Sequence, residues 1–120
     1  MPEPNEEHLS ILKSGVQAFN DWRRIITNPN LVPFLTGADL RNMDLRGVNL
    51  SRAHVGSADL SGTNLAGANL VNAKFGAAKL VDADLRNADC TNAYFGNADL
   101  SGANFDGAKT DGATFTNARR

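Results

Sequence analysis

A five-residue unit recurs from Thr36 to Ala118 without a skipped register, and it constrains the backbone more than any other feature of the chain. Its centres are Leu40, Leu45, Leu50, Val55, Leu60, Leu65, Leu70, Phe75, Leu80, Leu85, Cys90, Phe95, Leu100, Phe105, Thr110 and Phe115. Two residues before almost every centre stands a small side chain, usually Ala; just before it comes Asp or Asn most often; two after it comes Gly, Asn or another small polar residue. A period of five matches neither the 3.6 of an amphipathic helix nor the 2 of an open strand. Within a unit the two apolar positions flank a polar one, which is a brief alternation followed by a turn that Gly and Asn supply. The chain therefore turns one corner per unit.

Four such units close a square coil of 20 residues, and writing the sequence at that period sorts the centres by face. Leu40, Leu60, Leu80 and Leu100 share the first face, and Leu45, Leu65, Leu85 and Phe105 the second. Leu50, Leu70, Cys90 and Thr110 form the third, and Val55, Phe75, Phe95 and Phe115 the fourth. Three phenylalanines thus fall in one column, which the five-residue period alone does not require. Sixteen units make about four coils, and at about 4.8 Å per coil the stack is roughly 20 Å tall.

The units Ala38-Asp39-Leu40-Arg41-Asn42, Ala58-Asp59-Leu60-Ser61-Gly62 and Ala98-Asp99-Leu100-Ser101-Gly102 resemble the A(D/N)LXX unit of the pentapeptide repeat family. The resemblance covers about two thirds of the chain and points to a small member with an N-terminal capping helix. It implies an all-β solenoid, a right-handed quadrilateral parallel β-helix with the centre and the Ala pointing inward. Met43, Val48 and Thr63 depart from the small inner residue, and Cys90 and Thr110 from the apolar centre.

Residues 1–35 read as an N-terminal segment with its helix and a lead-in stretch, and 36–120 as the repeat solenoid. The helix is expected over about Glu6 to Ile26, with Asn5 as cap, Glu6 and Glu7 at its positive end and Arg23 and Arg24 near its negative end. Leu9, Leu12, Val16, Phe19, Trp22 and Ile26 recur at three- and four-residue steps and make one apolar face. Such a face suits a membrane surface or a partner, but a solenoid needs its open end covered, and an N-terminal cap is the stronger reading. Thr27-Asn28-Pro29-Asn30 stops the helix, and Leu31 to Leu35 lead into the first coil with Phe34 expected beneath the cap.

The net charge is −1, and from Leu35 onward nine acidic side chains balance nine basic ones, so neither a nucleic-acid-binding patch nor a strongly acidic surface follows. The lone Cys90, at an inward centre, reads as an inert buried thiol compatible with a reducing compartment. No secretory leader or membrane span is legible, and a cytoplasmic protein is expected.

Catalysis needs converging groups, whereas the repeat sets its polar side chains on flat outward ladders. His54, Ser57 and Asp59 lie close in sequence but lack a nucleophile turn and a second wall. Asp82, Asp84 and Asp89 do not follow a calcium-loop spacing, and two histidines with one cysteine give no zinc set. No phosphate loop occurs, and the sequon at Asn49-Leu50-Ser51 is a product of the repeat itself. No enzyme, metal or cofactor is expected.

Outward Asp and Asn side chains can bond local amides at the corners, so most of them read as structural. The fourth face departs from that rule in every coil, with His54, Lys74, Tyr94 and Thr114 beside Gly56, Gly76 and Gly96. That strip of bare backbone flanked by Tyr and Lys is a candidate docking surface for a protein partner. Arg41, Arg46 and Arg52 in the first coil form a basic cluster of the kind that is usually solvated. The last layer, with Leu100, Phe105 and Phe115, is expected to invite end-to-end dimerisation as an open sheet edge. The functional expectation is a non-enzymatic interaction module. The alternative implied by the resemblance is a DNA-mimicking protein that binds type II topoisomerase (gyrase), of the quinolone-resistance type.

Overall fold

The five-residue register forces one corner per unit, and the corner residue is a single left-handed position. From Gly37 to Asn117 every fifth residue has φ between 58° and 75°, with no exception. Gly, Asn and Asp occupy fourteen of these seventeen positions; Arg52, Ser57 and Ala77 are the others. Left-handed backbone costs little for Gly and Asn and more for residues with other side chains, so the corner chemistry read from the sequence is the chemistry used. The structure, a computed structural model, describes residues 3–120.

Between corners the chain runs extended for a residue or two and pairs with the coil above and the coil below. Every bridge is parallel and joins a residue to the one twenty positions later: Phe34 to His54, Asp39 to Asp59, Asp44 to Asn64 and Asn49 to Asn69 begin the four ladders. The bond pattern repeats with the coil. Leu60 N–H donates to Lys79 O at 2.7 Å and Asp59 N–H to Ala38 O at 2.9 Å, and the same offsets recur around the stack. Each pairing segment is so short that the sheets consist of isolated bridges rather than long strands. Four bridge positions per twenty residues give a four-sided parallel coil.

The inside is filled by the two apolar positions of each unit. All centres from Leu35 to Leu100 are buried, as are the Ala residues two before them. Phe75, Phe95 and Phe115 stack with ring centroids 5.1 and 5.2 Å apart, and Phe105 meets Phe95 edge-on at 5.9 Å. Of the departures from the small inner residue, Val48 is buried, Met43 is half-buried, and the buried Thr63 donates its hydroxyl to Leu40 O. The principal extents are 35 × 32 × 25 Å, so the stack with its cap is a short block rather than an elongated rod.

The N-terminal segment corrects the expectation of one helix over about Glu6 to Ile26. Two helices form instead, α1 (Glu6–Lys13) and α2 (Val16–Ile25). Asn5 caps α1 as expected, its side chain accepting from His8 N–H at 3.0 Å. The break lies at Gly15, whose φ of 125° and ψ of 159° belong to a region that side chains rarely enter. A continuous helix would carry its apolar face past the coil, whereas the turn at Gly15 folds α2 back over it. Leu12 and Phe19 are then fully buried, and Leu9, Val16 and Trp22 pack at their margins. Ile26 is not part of that face: it follows the end of α2 with extended backbone.

Phe34 is also placed differently from the expectation. Pairing begins at Phe34, which bridges to His54, so its side chain stands outward and is 40% exposed. Leu35 takes the inward position and is fully buried. The cap still reaches Phe34 from the side. Asn5 N–H donates to Phe34 O at 2.9 Å, and Phe34 N–H donates to Nδ1 of His8 at 3.0 Å.

That bond requires an unprotonated Nδ1, and burial among Trp22 and Phe34 lowers the His8 pKa from 6.5 against the opposing pull of Glu7. Because the native value is the lower one, the stabilisation is complete above the unfolded value of about 6.5 and is lost as pH falls from there toward the native pKa. His54, also lowered, adds a step of the same sign. Urea unfolding at pH 7.5 and pH 5 is expected to show the protein weaker in acid. His8→Ala should cost about 1–3 kcal/mol at pH 7.5 by leaving the Phe34 amide unpaired, and should shrink the acid step. An unchanged step in that variant would assign the effect to His54.

Candidate functional site

Ten outward Asp and Asn residues, from Asp39 to Asn104, each accept a hydrogen bond from the backbone N–H two residues later. These Asx turns hold the corners on the first three faces, as the sequence suggested. Three of the acids also pair with the arginine two residues on: Asp39 with Arg41, Asp44 with Arg46 and Asp84 with Arg86. Hydrogen bonds from Arg41 hold the Asp39 carboxyl down at about 2. The hydroxyls of Thr91 and Ser101 lower Asp89 and Asp99 in the same way. Arg41 and Arg46 are therefore engaged with acids of their own coil, and only Arg52 of the expected basic cluster has no acidic partner among the described residues.

The fourth face lacks these caps. His54, Lys74, Tyr94 and Thr114 follow one another on a single ladder. None of them caps the amide two residues on, and among the described residues the N–H groups of Gly56, Gly76 and Gly96 have no hydrogen-bond acceptor. At ten of the twelve corresponding corners on the other faces the same amide meets an outward Asx oxygen; the exceptions follow Lys79 and Lys109. His54 is half-buried against Phe34, with ring centroids 4.8 Å apart; Lys74 and Thr114 are exposed, and Tyr94 is 44% exposed.

The glycine strip is not bare along its whole length, which corrects the sequence reading. The Tyr94 ring lies across it: a Cβ on Gly96 would stand 2.1 Å from the Tyr94 hydroxyl oxygen, and one on Gly76 would stand 3.1 Å from the ring. Gly96 is consequently buried. None of the three glycines has a left-handed φ, so at Gly96 the need is for space and not for a turn. The uncovered part of the face runs from Gly56 toward the Gly76 amide.

The other nominated groups separate by location. Asp59 caps Ser61 N–H at 3.0 Å and His54 faces Phe34, so each member of the sequence-adjacent set with Ser57 has its own surroundings. Among the described residues no three His, Cys, Asp or Glu side chains are placed to share a metal ion. Cys90 is buried, and desolvation, aided by the charge of Asp89, pushes its thiol up to about 12. Folded protein is expected to resist thiol alkylation at pH 8 for hours while urea-unfolded protein labels within minutes; rapid native labelling would show that the third face opens.

In the last layer Leu100 is buried, while Phe105 and Phe115 are half-buried, and the Arg120 guanidinium lies 4.2 Å from the Phe115 ring centroid. Backbone N–H groups of Phe105, Thr110 and Phe115 make no bond within the described chain. The opposite end is better covered, by side chains that sequence reading missed. Asn20 donates to Gly47 O at 3.0 Å and accepts from Asn49 N–H at 2.8 Å, and Arg23 donates to Asn49 O and Ser51 O at 3.0 Å each. Nothing in the sequence separates Asn20 and Arg23 from the other polar residues of α2, Gln17, Asp21 and Arg24.

No helix among the described residues is long and apolar enough to cross a membrane. The sequence profile described as Pentapeptide repeats matches residues 35–54, 49–87 and 78–117, in eight copies. No curated protein matched the chain. Among solved structures, HetL, a pentapeptide repeat protein involved in heterocyst differentiation regulation from the cyanobacterium Nostoc sp. strain PCC 7120, is 37% identical over 68% of this chain and 38% of its own, with a TM-score of 0.67. The pentapeptide repeat protein alr5209 of Nostoc PCC 7120 is 43% identical over 57% of this chain and 56% of its own, with a TM-score of 0.56. A trypsin-treated variant of QnrB1, a plasmid-mediated fluoroquinolone resistance protein, shares the fold at 23% identity and a TM-score of 0.63 over 71% of this chain and 44% of its own. The chain spans less than two thirds of the length of each of these proteins. With corner, ladder and core repeating in the register that the profile recognises, the chain belongs to the pentapeptide repeat family.

Proposed function

We propose that this chain is a non-enzymatic protein-interaction module, a right-handed coil stack that docks a protein partner on its fourth face. The observation that carries the reading is the run of missing caps on successive coils of one ladder, where elsewhere only the corners after Lys79 and Lys109 lack one. Ten corners spend an Asx side chain on the local amide, whereas the fourth face leaves the Gly56 and Gly76 amides without an acceptor beside His54 and Lys74. Outward donors in a row, with an aromatic at one end, suit a partner that brings backbone or side-chain acceptors. Cys90, as a buried thiol, suits a reducing cytoplasmic setting.

The repeat offers a test that leaves every inward residue in place. Changing His54, Lys74 and Tyr94 to Asn installs the cap that other corners already use while removing the His54–Phe34 contact and the Tyr94 cover over Gly96, and urea unfolding of the variant beside the parent checks that the coil is retained. Cross-linking in native lysate followed by mass spectrometry is expected to recover a partner with the unmodified chain and lose it with the triple variant. Identical recoveries would sink the docking reading. DNA mimicry has less behind it: Asp39, Asp44 and Asp84 are each neutralised by an arginine, and the likeness to QnrB1 is one of fold. Topoisomerase subunits among the recovered proteins would reverse that order.

End-to-end pairing through the last layer is part of the same proposal. Leu100, Phe105 and Phe115 lie beneath open backbone donors, and a second copy or a further coil would satisfy them. Sedimentation across a hundredfold concentration range should show a dimer, and a monomer throughout would rule out self-pairing.

A further inference from the structure

A groove of about 350 Å³ opens where the lead-in segment passes the first two coils, lined by Asn30, Val32, Arg52, His54, Asn72 and Lys74. Its size falls at the lower end of small-molecule sites, which run from about 300 to 1,000 Å³. Five of its six side chains carry N–H groups, and none is a carboxylate.

The cations in it face one another without an acidic side chain in the lining. Arg24, Arg41, Arg46 and Arg86 each pair with an aspartate, whereas neither Arg52 nor Lys74 has an ion pair among the described residues. The Arg52 side chain makes one hydrogen bond, donating from its guanidinium to Pro29 O at 2.7 Å, which holds it at the groove wall and leaves its remaining donors unspent. Arg23 adds a further positive charge close enough to act on Arg52. His54 and Lys74 sit on adjacent coils of one ladder, and Arg52 and Asn72 on the adjacent coils of the neighbouring corner. Donors therefore converge from two directions over two coils.

The backbone supplies an independent indication. Arg52 occupies a left-handed corner, φ 62°, at a position that Gly, Asn or Asp fills in fourteen of seventeen cases. Ser57 and Ala77 share the conformation with short uncharged side chains, and Arg52 is the one left-handed corner that carries a long charged side chain.

We propose that this groove binds a small phosphorylated molecule through its phosphoryl group. An arginine held by Pro29 O, a lysine and an imidazole match a dianion better than a single carboxylate, and tetrahedral oxygens can meet donors on both coils. The groove shares His54 and Lys74 with the docking face, but its probe is a free ligand and Arg52 is not on the docking ladder, so the failure of either reading is distinguishable from that of the other.

The test is an NMR titration of the full, isotope-labelled chain with pyrophosphate, and with acetate as a monoanion control, at constant ionic strength. Pyrophosphate is expected to give saturable shifts confined to the groove amides, with affinity at least about tenfold above acetate. Arg52→Asn restores the favoured corner residue, so the variant should be as stable as the parent or more so. Combined with Lys74→Asn it should weaken pyrophosphate binding by about tenfold or more. Absence of saturation, equal binding by the double variant, or equal shifts around Lys79 and Lys109 would each overturn the proposal. Matched thermal unfolding of variant and parent excludes loss of fold as the cause.

Discussion

Replacing Phe95 with Ala is expected to lower the unfolding free energy by about 3–5 kcal/mol, the range for deleting a fully buried aromatic ring. Phe95 is the centre of the phenylalanine column: it stacks on Phe75 at 5.1 Å and on Phe115 at 5.2 Å, with Phe105 edge-on at 5.9 Å. Ala there leaves a void that two coils share, and the hydrogen-bonded ladders hold those coils too rigidly to collapse into it. Phe115→Ala removes a ring that is only half-buried and should cost clearly less. Urea unfolding of both variants measures the difference. Equal losses would mean that the last layer is covered in solution, which would favour pairing through that end.

Phe19→Ala should cost a similar amount, about 3–5 kcal/mol, but the loss should be distributed differently. Phe19 is fully buried beneath α2, with Trp22 at 5.5 Å, and it seats the helix from which Asn20 and Arg23 reach the open edge of the first coil. Loosening that seat frees the Asn49 amide along with the apolar contacts. Since stacked repeats contact only their neighbours, exchange should quicken first at Asn49 and in the first coil, while the amides of Leu80 and Leu85 stay protected longest. Hydrogen exchange followed residue by residue gives the answer. Uniform acceleration along the stack would show that the cap and coils unfold as a single unit.

Both predictions rest on long-range neighbours, yet they differ in how far the sequence foretold them. The phenylalanine column is legible at a period of twenty, because each centre must lie above the centre of the coil before it. The corners are legible too, since left-handed backbone selects Gly and Asn locally. Asp39 and its equivalents cap their own turns two residues away, and the repeat shows that spacing directly.

The cap obeys no such period. The apolar positions of 6–26 fit one long helix, and Gly15 within them is a weak signal until the coil beneath is known. Phe34 and Leu35 are adjacent apolar residues; the five-residue register extended one unit back puts Leu35 inward, and the bridge from Phe34 to His54 shows that pairing does begin there. Asn20 and Arg23 find their carbonyl and amide partners 26 to 29 residues away, a match that no local pattern announces. The covering of Gly96 by Tyr94 and the approach of Pro29 to Arg52 are likewise meetings of side chains and segments that the five-residue repeat leaves free. Sequence by itself therefore determined the coil, its four faces and its core, because those follow from contacts repeated at fixed spacing. Tertiary structure alone decided the cap, the partly covered fourth face and the groove, because each depends on unrepeated contacts between distant residues.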